Sequence, residues 1–279
     1  RAVSRVEESL GCVLLRRSSR SVRLTHEGEI LFAHCKSAFE QLDDAQTLIQ
    51  GLAQRVRGRL RATVPLGIGR RRILPALPQF AARHRELELD VVTTDRVVDL
   101  ANESIDVAVR VGRPSTGPLR ATHLIDSEFL LVAAPELLEH YEAVAHPREC
   151  ESMPQVGFRL PSGAVRSWRF ARGDETYELE PSGTLTLDDG IAVVAMVCAG
   201  LGLSYVPDYL VDREVADGRL VRVLPEWSAP AGSLYCVYHE RKESIPRIRA
   251  FVEFAQTAVA RTVANEQKPE TDSSGQAGN

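Results

Sequence analysis

Apolar positions recur along this chain at more than one period, and each period predicts a different element. Val3, Val6 and Leu10 stand three and four residues apart, the spacing of one helix face, and Gly11 follows where a helix end tolerates left-handed backbone. Residues 13–24 alternate around a middle of arginines and serines and predict a short two-stranded turn, with Arg17, Arg20 and Arg23 facing water. Thr25 is placed to cap the next helix through its hydroxyl. The glutamate or glutamine that would complete a capping box is absent, because Gly28 holds that position. Residues 26–54 then carry one long helical pattern, with Leu31, Cys35, Ala38, Leu42, Ala45, Ile49 and Leu52 spaced alternately four and three apart. That heptad seam runs for about 40 Å and predicts pairing with the same helix of a second subunit. Packing against its own domain is the alternative, which normally shows a wider apolar face.

Beyond a linker at residues 55–61 the pattern changes to alternating strand and helix. Leu60, Ala62 and Val64 alternate with Arg59, Arg61 and Thr63, a loop is predicted over residues 65–69, and a helix follows through Ile73, Leu77 and Phe80. Strands are predicted at 87–93 and 106–111, with a short helix at 97–103 between them. Further strands fall at 184–187, 203–206, 220–224 and 234–238, and helices at 190–199, 207–216 and 246–259. Strand–helix alternation is the signature of an α/β fold with a largely parallel sheet. The polar residues 263–279 are expected to form a disordered tail.

Length and composition narrow the class. At 279 residues, with 44% hydrophobic and 26% charged residues, the chain has the size of two ordinary globular domains. The absence of an 18-residue apolar run argues against a membrane partner, and the charged first residues do not resemble a signal peptide, so a cytoplasmic location is expected. Five scattered cysteines without a Cys-x-x-Cys pair fit a reducing compartment. Cys198 and Cys236 are candidates for redox-responsive thiols, with buried inert cysteine the better-supported reading.

Charge adds a polarity. The net charge is −4, yet residues 1–25 carry six arginines against Glu7 and Glu8, a net of +4 that leaves −8 for the rest. A second basic stretch lies between Asp44 and Glu86, with nine arginines and no acidic residue. A basic end on an acidic body suggests a local contact with a polyanion such as nucleic acid, with a solvated surface as the plainer reading of each stretch on charge alone. The seven histidines make no His-Glu-x-x-His, and there is no Gly-x-Ser-x-Gly elbow or phosphate-binding loop. Neither an enzyme nor a cofactor or metal site is therefore expected. Ligands of open α/β sheets gather beyond the carboxyl ends of strands. Two such places are legible: Leu66, Gly67, Ile68 and Gly69, whose amides would hold an anion, and the Asp188–Asp189–Gly190 turn, where Asp189 or Asp188 is most simply a helix cap.

In order and spacing, Leu10–Gly11, Leu14–Leu15, Arg17, Arg20, Val22–Arg23–Leu24–Thr25 and Gly28, then PLGIGRRRILPALPQFAARHRELELDVVTTDRVVDLANESIDVAVRVG, GFRLPSG, PSGTLTLDDGIAVVAMVCAGLGLSYVPDYLV and GRLVRVLPEW, resemble the LysR-type transcriptional regulators. The resemblance covers residues 1 to about 259. It implies a partial winged helix-turn-helix at 1–25, a dimerisation helix at 26–55, and a two-lobed α/β effector domain of the periplasmic-binding-protein type. Lobe I would comprise residues 59–123 and 231–262 and lobe II residues 126–228, with crossings near 125–132 and 229–232.

The resemblance places Arg1 inside the recognition helix, so the rest of the family's motif would precede it, and double-stranded DNA is expected as partner of a complete N-terminus. Arg1, Arg5, Arg17, Arg20 and Arg23 are the expected DNA contacts. A homodimer through residues 26–54, a tetramer of such dimers and contact with RNA polymerase are further partner expectations. The implied effector cleft draws on Thr93, Thr94, Arg110, Gly112, Phe158, Arg159, Tyr205 and Pro207, with Arg110 or Arg159 as a bidentate fork for a carboxylate. Many family members carry serine or threonine in the first loop. Leu66 to Gly69 replace it here, which points to a larger or more apolar effector of unknown identity. A periplasmic-type solute receptor without a DNA role is the alternative.

Overall fold

The computed structural model describes residues 2–17, 22–50, 56–114, 117–183 and 185–260. Helix α1 (Ala2–Leu10) leads into an antiparallel pair, β1 (Leu15–Arg17) with β2 (Val22–Leu24), and then the long helix α2 (His26–Gln50). The Glu7 carboxylate ties these pieces together by accepting from the Leu14 amide at 2.7 Å and the Leu15 amide at 3.1 Å. Thr25 caps α2 as its sequence predicts: its hydroxyl oxygen accepts from the Gly28 amide at 3.0 Å and donates to the Val13 carbonyl at 2.6 Å. A β-carbon at Gly28 would lie 2.1 Å from the Leu14 carbonyl oxygen. The missing capping-box side chain therefore has a steric cause, since only glycine lets the helix start against the wing.

Apolar side chains remain in water along α2. Ile30, Phe32, Phe39 and Leu42 are half or more exposed and Cys35 is exposed, while Leu31 is partly covered. The side chains of Ala45 and Ile49, and Leu52 as a whole, lie outside the described residues.

Seven of the remaining strands build one mixed sheet shared by two lobes, and the other four form two separate pairs. Strand β3 (Gly58–Val64) is followed by the short helix α3 (Leu66–Ile68), a π-turn at Gly69–Ile73 and α4 (Leu74–Arg83), then β4 (Leu87–Thr93) and β5 (Val107–Val111). The long strand β6 (Leu119–Ala133) precedes α5 (Pro135–Leu138), β7 (Val156–Phe158), the hairpin of β8 (Trp168–Arg172) and β9 (Glu175–Leu179), and β10 (Leu185–Leu187). Helix α6 (Gly190–Cys198), β11 (Ser204–Pro207), α7 (Asp212–Ala216), β12 (Val221–Val223), β13 (Ala229–His239) and α8 (Pro246–Ala260) complete the described chain.

The order in the large sheet is β11-β6-β13-β5-β3-β4, with β12 also pairing β6. Strand β6 pairs β13 from His239↔Leu119 to Ala229↔Phe129, and its end continues into the second lobe between β11 and β12. The two lobes are thus joined by a pair of antiparallel strands, the first of them 15 residues long.

Alternation on these strands divides the core. Leu60, Ala62 and Val64 point into the first lobe against Phe80, Ile248 and Phe251. At the end of β6, Leu130 and Val132 face Val193, Val194 and Val197 of α6, whereas Leu131 and Ala133 face Trp168, Phe170 and Trp227 on the other side. Phe80 and Phe251 in the first lobe and Trp168, Phe170 and Trp227 in the second bury enough apolar area to make each lobe a packed unit.

Four sequence expectations change. The sheet expected to be largely parallel is mixed: β4, β3 and β5 run parallel, while β13 pairs antiparallel with β5 and β6, and β6 antiparallel with β11 and β12. The helix expected at 97–103 is a turn, because the Asp99 carboxylate accepts from the Ala101 and Asn102 amides at 2.9 and 3.0 Å and competes with helical bonding. The loop expected at 65–69 is instead helical from Leu66. Its glycines are required by contact: a β-carbon at Gly67 would lie 2.9 Å from Leu210 Cδ2, and one at Gly69 would lie 2.9 Å from Val64 Cγ2. The region expected to form a helix at 207–216 is a 3-10 turn at Asp208–Leu210 followed by the shorter α7.

Candidate effector cleft

A cavity of about 270 Å³ opens between the lobes, beside the strand pair that joins them. The first lobe contributes Thr63, Gly67, Thr94 to Val98 and Arg110; the second contributes Phe129, Phe158, Leu160, Arg166 and Tyr205 to Pro207. Most of these walls are apolar or aromatic, the lining expected where a small organic molecule is held by a few polar groups.

Arg166 is the central polar feature. It sits after a tight excursion closed by the Leu160 amide on the Ala164 carbonyl, and its own amide donates to the Phe158 carbonyl at 2.8 Å. Its guanidinium carbon stands 5.1 Å from the centre of the Phe129 ring and 5.5 Å from that of Phe158. Burial draws its pKa below the usual guanidinium range, opposed by Tyr209 nearby, yet a guanidinium stays charged at neutral pH. Tyr209 itself is pushed up to about 12, first by burial and then by Asp95 and Asp208, so its hydroxyl remains protonated.

Several predicted residues converge on this cavity and others do not. Gly67, Thr94, Arg110, Phe158, Tyr205 and Pro207 line it. Leu66 does not present a free amide, because its N–H donates to the Asp95 carboxylate at 2.9 Å: the chain's own anion occupies the place predicted for a ligand's. Ile68 is buried in the first-lobe core, and Gly69 and Thr93 pack around Val64. Gly112 follows β5 at positive φ, with its amide on the Ser233 carbonyl. Arg159 turns away and donates to the Gly163 carbonyl at 2.9 Å. Asp189 caps α6 by accepting from the Ile191 amide at 2.8 Å. The Tyr205 hydroxyl is engaged inside the second lobe, where it donates to the Arg169 carbonyl at 2.6 Å, so only its ring is offered to the cleft. Sequence reading missed Arg166, Phe129 and Asp95, whose spacing in the chain carries no signal of their meeting.

Next to the cavity the lobes are clamped by charge. Arg70, Arg71 and Arg72, consecutive in the π-turn, reach across to Asp189, Glu214 and Asp212 respectively. The Arg71–Glu214 pair, at 2.9 Å, is the most buried of the three, with 15% and 6% of the side chains exposed. Burial holds Asp212 above the ordinary carboxylate range even though Arg72 and Arg71 oppose that shift. Beside the clamp, Leu210 is wedged against Gly67 of one lobe and Gly190 of the other.

Residues 53–260 match the family described as the LysR substrate binding domain. The chain is 33% identical over 249 residues to the HTH-type transcriptional regulator PtxR of Pseudomonas aeruginosa, covering 89% of this chain and 80% of that one. This chain belongs to the LysR family of transcriptional regulators. It is also 28% identical to the HTH-type regulator CrgA of Neisseria meningitidis over 91% of its own length and 85% of CrgA. The solved CrgA structure superposes with a TM-score of 0.68 over 93% of this chain and 88% of that one, at 25% identity. The full-length Vibrio cholerae virulence activator AphB shares the fold with a TM-score of 0.64 at 24% identity, covering 91% and 86% of the two chains. The LysR match makes this a DNA-binding regulator with an effector-binding domain rather than an enzyme, and the solute-receptor alternative falls.

At the LysR DNA-binding end, Arg5 on α1 and Arg23 on β2 are exposed. Arg17 closes β1, with its side chain outside the described residues; Arg1 and Arg20 lie wholly outside them, as do residues 263–279. Among the described residues no helix is long and apolar enough to cross a membrane.

Proposed function

We propose that this LysR regulator reads a small effector in the cleft between its lobes and passes the change through α2 to arginines on DNA. The single observation that carries this reading is the cavity itself, walled by both lobes, holding a cation, and placed beside the strands that join them. A ligand touching both walls has different contacts whenever the lobes shift, which is what lets binding bias a conformation. In this reading Arg1, Arg5, Arg17, Arg20 and Arg23 serve the duplex. Gly67, Thr94, Arg110, Phe158, Tyr205 and Pro207 serve the effector.

Residues 26–54 form the dimer seam, supported by the exposed apolar side chains of α2, with dimers pairing into tetramers that meet RNA polymerase at the promoter. Work on DNA goes with a cytoplasmic setting. The domain limits we assign are 1–25, 26–55, 59–123 with 231–262, and 126–228. The test is DNA retardation by protein made from the complete reading frame. Replacing Arg20 or Arg23 by alanine weakens binding and lowers the salt slope by about one unit each; an unchanged slope in both removes the wing from the account.

A further inference from the structure

The groups around Arg166 say what kind of effector the cleft takes. The guanidinium carbon lies over two rings, 5.1 Å from the centre of Phe129 and 5.5 Å from that of Phe158. Contact with a ring does not satisfy guanidinium N–H donors as an anion does, and those donors form the fork that matches a carboxylate. Among the described residues, no carboxylate stands within ion-pair distance of Arg166 or of Arg110. The neighbouring arginines differ. Arg96 is held by Glu103 through both guanidinium nitrogens, and Arg159 is committed to a carbonyl. A half-buried cation without a counter-charge is costly unless a ligand completes it.

The rest of the cavity limits size and charge. Its volume of about 270 Å³ lies at the bottom of the range of ordinary ligand pockets, which fits a molecule of roughly ten heavy atoms. Leu160, Pro161 and Val97 offer apolar surface to the body of such a molecule. Asp95 holds a carboxylate on the first-lobe wall, so a second anionic group would meet like charge there.

We propose that the cleft binds a small monocarboxylate with an apolar, ring-sized body, its carboxylate on the Arg166 fork and its body against Leu160, Pro161 and Val97. This rests on the cleft being the effector site and adds the chemistry of the effector. The ligand's anion supplies the missing partner of Arg166, while the two rings hold the guanidinium at the cavity wall. Binding of this kind also joins the lobes, because Arg166 and Leu160 belong to the second and Val97 to the first.

The test uses the full chain and calorimetric titration with benzoate, methyl benzoate and acetate. Benzoate should bind at millimolar concentration or below, with the ester and acetate each about tenfold weaker or more. Arg166→Met, which keeps the stem and removes the charge, should weaken benzoate at least tenfold and leave the ester unchanged. Leu160→Trp narrows the same cavity without touching the charge and should weaken both aromatic probes. Melting curves for both variants show that the fold is kept. Equal affinity for benzoate and its ester, equal affinity of Arg166→Met and wild type for benzoate, or no benzoate binding would overturn the proposal. If Leu160→Trp still abolishes ester binding, the effector-cleft reading survives that loss. If the aromatic probes bind and Leu160→Trp changes neither, the cleft reading goes with it.

Discussion

The Arg71 guanidinium lies 2.9 Å from the Glu214 carboxylate, although 143 positions separate the two residues and each belongs to a different lobe. Both are largely buried, and Glu214 also receives Arg219 at 3.3 Å. Removing one charge of such a pair leaves the other without compensation, which costs about 3–5 kcal/mol. Glu214→Gln is therefore expected to lower urea stability by about 3 kcal/mol, read as a shifted midpoint at constant slope. Arg70→Ala breaks the exposed Arg70–Asp189 pair, with 47% and 30% of the side chains in water, and should cost no more than about 1 kcal/mol. Equal losses in the two variants would contradict the distinction drawn from burial.

Gly28 is the point where the wing meets the long helix. In Gly28→Ala the new methyl would meet the Leu14 carbonyl oxygen at 2.1 Å, so helix and wing must separate. An overpacking cost of about 1–3 kcal/mol is expected there. Hydrogen exchange should quicken across residues 13–30 while residues 58–260 keep their protection. Unchanged exchange at 13–30 would show that the junction is not needed.

The exposed face of α2 predicts its own assembly. Phe39 is 73% exposed and Leu42 61% exposed. Charges placed on a paired seam are desolvated on association, so Phe39→Glu with Leu42→Glu should shift the mass measured by sedimentation toward the monomer without lowering the effector domain's melting temperature. Retention of the wild-type mass would place the dimer contact elsewhere.

The thiols separate by burial. Cys35 is exposed, whereas Cys150 and Cys236 are buried; burial pushes Cys150 up to about 12 and Cys236 higher than the ordinary thiol range. At pH 8, Cys35 should react with a disulfide reagent and Cys150 and Cys236 should wait for unfolding. Because their folded pKa values are raised, the stability they contribute is fully present below the unfolded thiol value near 9 and is lost as the pH rises toward 12. Cys150→Ala should flatten the alkaline decline in denaturant midpoint; an identical slope would contradict the assignment.

How much was legible in the sequence follows from the range of each interaction. Leu60, Ala62 and Val64 announce β3 because a strand's pleat imposes a local period, and Thr25 and Asp189 announce helix starts because capping is local. The turn at Asp99 was misread because its carboxylate overrides a weak helical pattern. The hairpin of β8 and β9 escaped, although Gly173 at positive φ marks its turn. The cleft was legible only in part. Gly67, Thr94, Arg110 and Tyr205 sit where strand ends and family spacing put them, but Arg166 meets Phe129 only because the strand from Leu119 to Ala133 crosses between lobes. No spacing records that meeting.

The most direct measurement of the central claim is hydrogen exchange of the full chain, with and without a metabolite that raises its melting temperature. Binding between the lobes predicts slowed exchange in residues 94–98 and in residues 158–166 together, one segment from each wall. Slowing confined to one lobe would contradict an effector held between the two.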